Sequence, residues 1–136
     1  MTPITHPRDS STPVSNLPFS PCVRVGDLLF VSGQASVDAE GKIVNDTFEG
    51  EFHRSMENLR KVLSGAGFGL EQVVQTRCYV DKREDLAEFN RLYASAFKAP
   101  YPARTTIVNS FDGLLKFEID CIAVDTNLVS RTLNIS

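Results

Sequence analysis

The spacing of apolar residues predicts strands in three parts of the chain. Residues 22–33 (CVRVGDLLFVSG) hold two apolar runs, and Gly26-Asp27 between them favours a tight turn, so this segment is expected to form a β-hairpin. Residues 73–80 (VVQTRCYV) are rich in β-branched side chains, which favour a strand. Residues 103–125 hold two further apolar and polar alternating runs around a turn, which predicts two more strands.

A first helix is predicted by apolar residues at intervals of 4, 4, 3, 3 and 1, which are Phe48, Phe52, Met56, Leu59, Val62 and Leu63. Asp46 or Thr47 can cap the start of this helix, because both side chains can accept a hydrogen bond from the backbone of the first turn. Gly65 or Gly67 is expected to end it.

A second helix is predicted by another apolar set at helical spacing, which is Leu86, Phe89, Leu92, Tyr93, Ala96 and Phe97. Asp81 or Asp85 can cap it, and Pro100 and Pro102 stop it. The complete order of elements predicts an α+β fold, in which two helices pack on one face of a mixed sheet.

The last two predicted strands separate a polar face from an apolar one. If they form a hairpin centred on Phe111, Arg104 lies opposite Glu118. Side chains alternate between the two faces of a strand, so one set of residues is expected to face the helices: Thr105, Ile107, Phe117, Ile119, Cys121 and Ala123. The opposite face carries Arg104, Thr106, Glu118 and Asp120.

Two interpretations of this charged face stay open from the pattern alone. Arg104 and Glu118 can form a solvated ion pair worth less than about 1 kcal/mol. Alternatively, Arg104 binds a substrate carboxylate with its planar fork of donors, while Glu118 holds or deprotonates a water molecule. Spacing does not separate the two.

The length of 136 residues fits one domain. Five of the seven prolines fall in the first 21 residues, which predicts a flexible N-terminal arm over residues 1–17. The single domain is expected to span residues 18–125, and a tail is expected over residues 126–136.

Composition and charge disfavour several classes of function. With 14 basic and 17 acidic residues, the chain lacks the positive field that nucleic acids or anionic membranes attract. Two histidines and three scattered cysteines show no metal-binding spacing, so no metal is expected. The odd number of cysteines argues against a set of disulfides, and no leader peptide or membrane-spanning segment is recognised. Together these features predict a reducing, cytoplasmic location.

Five segments together resemble the RidA/YjgF family of reactive imine and enamine intermediate deaminases. They read PFSPCVRVGDLLFVSGQ, SMENLRKVLSGAG, EFNRLYASAF, PARTTI and FEIDCIAV, and the similarity runs over residues 18–124. The resemblance implies a chorismate-mutase-like fold that assembles as a homotrimer, with its sheets facing inward and active sites in the clefts between subunits. It also implies cofactor-independent hydrolysis of 2-imino acids to 2-keto acids and ammonia.

The resemblance also assigns roles to individual residues. Arg104 in PART corresponds to the arginine that binds the substrate carboxylate, and Glu118 in FEID corresponds to the acid that positions water. Asn90, Gly33 and Thr106 correspond to residues that shape the pocket.

Phe19 departs from the family pattern, because proline, tyrosine and serine are usual where this chain has Pro18-Phe19-Ser20. The missing hydroxyl could cost about 1 kcal/mol at a transition state. An alternative is therefore a family member that binds small carboxylates or partners without competent hydrolysis. A ribonuclease or translation-inhibiting role is a third hypothesis, which the acidic balance disfavours.

Overall fold

A computed structural model describes residues 2–127 and shows one six-stranded mixed sheet with two helices. The elements are β1 (Ile4–Thr5), β2 (Cys22–Val25), β3 (Leu28–Ala35), α1 (Phe48–Gly65), β4 (Val73–Val80), α2 (Leu86–Ala96), β5 (Ala103–Val108) and β6 (Phe117–Val124). The strand order across the sheet is β1-β2-β3-β6-β4-β5. This confirms the predicted α+β class.

The predicted hairpin forms from β2 and β3, and Gly26 provides its turn with a φ of +61°. The first helix also begins as expected, because the Thr47 hydroxyl accepts a hydrogen bond from the Gly50 backbone N–H at 3.1 Å. The second helix begins after Asp85, but the Asp85 side chain makes no capping hydrogen bond.

The predicted pairing of the last two strands is wrong. β4 lies between β5 and β6, parallel to β5 and antiparallel to β6. The connection between β5 and β6 therefore crosses the end of β4, where the Asp81 carboxylate accepts hydrogen bonds from the backbone N–H groups of Phe111 and Gly113 at 3.0 and 2.9 Å. Arg104 consequently pairs in register with Thr76, and Glu118 pairs with Tyr79.

The core lies between the sheet and the helices. Its largest buried side chains, each with almost no exposure, include Phe52, Met56, Leu59, Phe89, Phe117 and Ile119. All three cysteines are free and buried in this region, as expected for small apolar side chains. The helices cover one face of the sheet, which leaves the other face open. No helix between residues 2 and 127 is long and apolar enough to cross a membrane.

Both ends of the chain were predicted to lie outside the domain. The segment predicted as a flexible arm (1–17) contains β1, which pairs with β2, and the buried Thr12, whose exposure is 4%. Part of this segment therefore packs on the sheet and α1. Residues 128–136, which form most of the predicted tail, lie outside the described residues.

Candidate functional site

Arg104 lies on edge strand β5 and points to the side of the sheet that carries the helices. Its register partner Thr76 is fully buried on that side, so the two side chains share a face. The Arg104 guanidinium carbon lies 4.8 Å from the ring centre of Phe89 and 4.9 Å from that of Tyr93, both on α2. This corrects the predicted face, because the parallel register with β4 sets the alternation of β5.

The Arg104 guanidinium is held by aromatic rings and not by a carboxylate. Among residues 2–127 no acidic side chain forms an ion pair with it. The Tyr93 hydroxyl lies 2.9 Å from the Thr76 hydroxyl, which ties the supporting ring to β4. Cation–π contacts orient a guanidinium through its face. The N–H donors, which lie in the plane of the guanidinium, stay available to bind an anion.

A cavity of about 320 Å³ lies in front of Arg104. The residues that line it are Asn90, Tyr93, Ala94, Tyr101, Pro102 and Arg104. Asn90 and Arg104, two of the predicted site residues, thus share one pocket. Thr106 follows Arg104 on the same side of β5, but it is not among the lining residues. We name this cavity the arginine pocket.

Glu118 lies on the opposite, open face of the sheet, where a second cavity has a volume of about 310 Å³. The residues that line it are Phe19, Val31, Ser32, Gly33, Arg77, Glu118 and Asp120. Three predicted site residues, Phe19, Gly33 and Glu118, therefore share this second cavity, which we name the glutamate pocket.

Two local features of β3 shape the glutamate pocket. The pairing of β3 with β6 shifts between Val31 and Gln34, and a Cβ atom at Gly33 would lie only 2.7 Å from the Glu118 Oε2 atom. Glycine therefore leaves room for the carboxylate in the position that it occupies here. Ser32 fixes the segment that carries Phe19, because its backbone N–H donates to the Pro21 carbonyl at 3.0 Å.

Three side chains next to Glu118 form a charged cluster on the open face. Arg77 Nε donates to Asp120 Oδ1 at 2.9 Å, and the Tyr79 hydroxyl donates to Asp120 Oδ2 at 3.0 Å. Burial raises the pKa of Glu118 above its ordinary value, and the charge of Asp120 raises it further. Arg77 and Tyr79 were not predicted as site residues, although their alternation along β4 places them on the open face.

Thiol and metal chemistry have little support in the described residues. Burial raises the pKa of Cys78 and of Cys121 to about 12, so both thiols stay protonated and are poor nucleophiles at neutral pH. No group of three or more His, Cys, Asp or Glu side chains in residues 2–127 is arranged to hold a metal ion.

The two pockets do not form one site within a single chain. Arg104 and Asn90 lie on the helix side at the edge of the sheet, whereas Glu118, Gly33 and Phe19 lie on the open face. Each pocket holds one of the two functional groups that the sequence predicts. Neither of these two pockets, as described over residues 2–127, is lined by both groups.

Comparisons with known proteins agree with this architecture. The family model described as Endoribonuclease L-PSP matches residues 10–125. Protein mmf2, mitochondrial, of Schizosaccharomyces pombe is 36% identical over 79% of this chain and 88% of its own length. Reactive Intermediate Deaminase A, chloroplastic, of Arabidopsis thaliana is 32% identical over 78% of this chain and 58% of its own length.

A solved structure shows the same arrangement of elements. The crystal structure of E. coli TdcF with bound serine superposes with a TM-score of 0.77, at 25% identity, and covers 88% of this chain and 98% of that chain. With the family model over most of the chain, these relatives show that the protein is a member of the Endoribonuclease L-PSP family, also known as the RidA/YjgF family.

Proposed function

We propose that the protein hydrolyses 2-imino acids and their enamine tautomers to 2-keto acids and ammonia, in sites built from two copies of the chain. The arginine pocket of one copy would face the glutamate pocket of the next copy in a cyclic homotrimer. The main support is the guanidinium of Arg104, which is oriented by the rings of Phe89 and Tyr93 and forms no ion pair with an acidic side chain in residues 2–127.

The exposed groups on the open face support association with another copy. Phe30 and Phe19 on this side are 42% and 50% exposed, so a second copy that covers this face would bury their apolar surface. Arg104 lies on the edge strand, where a neighbouring chain can reach it. Repeated contact between an edge and an unlike surface closes into a ring when the rotation fits, and three copies would make three equal sites.

The proposed reaction needs one anion-binding group and one acid-base group. Arg104 binds the carboxylate of the imino acid with two parallel N–H donors, which fixes the position of the imine carbon. The Glu118 carboxylate accepts a proton from water as the water oxygen bonds to that carbon and the C=N π electrons move to nitrogen. The negative nitrogen then takes this proton back from Glu118, which gives a neutral carbinolamine. Glu118 next carries the hydroxyl proton of the carbinolamine to the amino nitrogen, the C–N bond breaks, and ammonia leaves as the keto group forms.

Electrostatics of the glutamate pocket suit this role. A raised pKa makes Glu118 a better proton acceptor when ionised than an ordinary surface glutamate, and brings proton exchange closer to neutral pH. Neither step needs an electron carrier or a metal, so we propose no cofactor. The names of two relatives support the substrate class: one is a reactive intermediate deaminase, and the other was crystallised with serine, a small molecule with a carboxylate.

A second candidate function rests on Phe19, which lines the glutamate pocket with a ring that has no hydroxyl. In this alternative the protein binds small carboxylates at Arg104 without turnover. A large gain in rate in Phe19→Tyr, from little activity in the unmodified chain, would favour it. Ribonuclease activity is the weakest candidate, because the net charge of −3 gives no field for RNA.

The test couples an amino-acid dehydratase, which releases 2-iminopropanoate or 2-iminobutanoate, to the purified protein and follows loss of the imine. We expect the unmodified chain to accelerate this loss, and Arg104→Ala to reduce kcat/KM about 10²-fold, because two charge-assisted hydrogen bonds are lost. Arg60→Ala on α1 is the matched control, since Arg60 pairs only with Glu57 among the described residues and lies outside both pockets. Equal rates for the unmodified chain and Arg104→Ala would contradict the proposal.

The place of this activity in the cell also stays a proposal. The scattered cysteines predict a reducing compartment, and we propose the cytosol. The relative mmf2 of Schizosaccharomyces pombe is named as mitochondrial, so localisation of the tagged full-length protein is the direct check.

A further inference from the structure

Asp120 lies beside Glu118, but the proposed hydrolysis does not use it. The two residues are separated by one position on β6, so their Cα atoms lie about 7 Å apart on the same face of the sheet. Both side chains line the glutamate pocket. Two carboxylates in one pocket repel each other when both are ionised, and that repulsion changes the behaviour of the less well stabilised one.

The hydrogen bonds of the two carboxylates differ strongly. Asp120 accepts from Arg77 Nε and from the Tyr79 hydroxyl, one bond to each of its oxygens, at 2.9 and 3.0 Å. Such donors favour the charged form of a carboxylate. Glu118 makes no side-chain hydrogen bond within residues 2–127. Asp120 is therefore held by two donors, whereas the Glu118 carboxylate is left to contact water or a substrate.

The Tyr79 hydroxyl keeps its proton and can therefore donate a hydrogen bond to Asp120. Burial raises the pKa of the Tyr79 hydroxyl, and its hydrogen bond to Asp120 and the charge of Asp120 raise it further, so the hydroxyl stays protonated through the neutral range. The Phe111 ring packs edge-on against Tyr79 with 6.1 Å between ring centres, which holds the phenol in place.

We propose that Asp120, clamped by Arg77 and Tyr79, is a positioning residue that keeps a negative charge beside Glu118 and thereby sets the pH range of catalysis. This inference rests on the proposed function, in which Glu118 moves the proton. Environments that separate two neighbouring carboxylates into one fixed anion and one proton carrier are a recurring way to assign acid-base roles.

The groups that face Glu118 come from every neighbouring element. Strand β4 contributes Arg77 and Tyr79, and β6 contributes Asp120. On β3 the neighbour is Gly33, which has no charge, and Phe19 closes the remaining side. In the proposed assembly, Arg104 of the next copy also faces this pocket, and its charge is the same in all variants.

Two substitutions should move the Glu118 titration in opposite directions. Asp120→Asn removes a negative charge beside Glu118, so the Glu118 proton is bound less tightly and its titration moves to lower pH. Arg77→Gln removes the compensating positive charge, so the titration moves to higher pH. Tyr79→Phe changes no charge, so it should move the titration less than Asp120→Asn.

The experiment measures the Glu118 titration directly by ¹³C NMR of the full chain with labelled glutamate carboxyl groups. The Glu118 signal is assigned by its absence in Glu118→Gln. In parallel, pH profiles of kcat/KM for imine hydrolysis are measured, and the part of each profile where activity changes with the protonation of Glu118 is compared between variants. Glu57→Gln is the matched control, because it removes one exposed carboxylate on α1 and should leave both measurements unchanged.

The expected result is a shift to lower pH in Asp120→Asn and to higher pH in Arg77→Gln, in the NMR titration and in that part of the pH profile. An unchanged Glu118 titration in Asp120→Asn, or shifts of both variants in the same direction, would overturn the inference. If the unmodified chain shows no hydrolysis, the proposed function fails and the NMR titration still decides the role of Asp120. Thermal unfolding of each variant checks that it folds. If Asp120→Asn does not fold, Arg77→Gln still tests the effect of the Arg77–Asp120 pair on Glu118.

Discussion

At the scale of residues, the two candidate groups have contrasting surroundings. Arg104 lies over two aromatic rings that orient it without neutralising it. Glu118 is half-buried next to Asp120, and burial followed by that neighbouring charge raises its pKa. One environment keeps a cation available for an anion, and the other keeps a carboxylate ready to exchange a proton. Both are conditions that hydrolysis of a small imino acid requires.

Gly33 provides a test of how closely the pocket fits the Glu118 carboxylate. A Cβ atom at this position would lie 2.7 Å from Glu118 Oε2, so Gly33→Ala should displace the end of a flexible side chain. We expect kcat/KM to fall about 10²-fold, because the carboxylate moves away from its working position. The free energy of unfolding should change little, since the displaced group can rotate.

Gly67→Ala is the matched control for this substitution. Gly67 has a φ of +82°, and a Cβ atom there would meet no other atom within 4 Å. Alanine in that backbone conformation should cost about 1 kcal/mol of unfolding free energy but leave kcat/KM of the folded protein unchanged. Activity assays and thermal unfolding of both variants check the contrast, and normal kcat/KM in Gly33→Ala would contradict the proposed position of Glu118.

At the scale of elements, Tyr93 joins α2 to two strands. Its hydroxyl pairs with Thr76 on β4, and its ring supports Arg104 on β5. Tyr93→Leu should raise KM for the imino acid, because the guanidinium loses an oriented support. Tyr93→Phe keeps the ring, so KM should stay close to normal while unfolding free energy falls by about 1 kcal/mol through the lost hydroxyl pair.

Separate measurements of KM and kcat test this support role. A support that only positions Arg104 for binding predicts a larger change in KM than in kcat for Tyr93→Leu. An unchanged KM in Tyr93→Leu, measured on protein shown to be folded, would mean that Arg104 does not depend on the aromatic ring.

Local patterns predicted individual elements well, and long-range pairing poorly. The bounds of β4 agree with the predicted strand over residues 73–80, and Thr47 caps α1 as one of two expected residues. Alternation along β6 was also correct, because Phe117 and Ile119 are buried while Glu118 faces the opposite side. These features depend on neighbours within a few positions in the sequence.

The predicted opposition of Arg104 and Glu118 failed because it assumed that consecutive strands pair. The parallel insertion of β4 reversed the face of β5, so Arg104 came to the helix side. Alternation in an isolated strand shows which residues share a face, but not which face the sheet covers. For the same reason, the roles of Arg77 and Tyr79 depend on a register that the sequence does not state.

At the scale of the whole molecule, the proposed site combines groups from two chains. Residues 2–127 place the arginine pocket at an edge and the glutamate pocket on the open face. A cyclic homotrimer that joins an edge to the next open face would complete each site and cover the exposed Phe30. We therefore propose that Arg104 and Glu118 act together from different copies.

Complementation between two inactive variants tests whether each site combines groups from two copies. Arg104→Ala and Glu118→Gln are each purified, then unfolded and refolded together in equal amounts, with each variant refolded alone as the control. If each site takes Arg104 from one copy and Glu118 from the next, random mixing should restore about a quarter of normal activity, since half of the copies offer each intact group. Mixed oligomers with no recovered imine hydrolysis would contradict a site shared between copies.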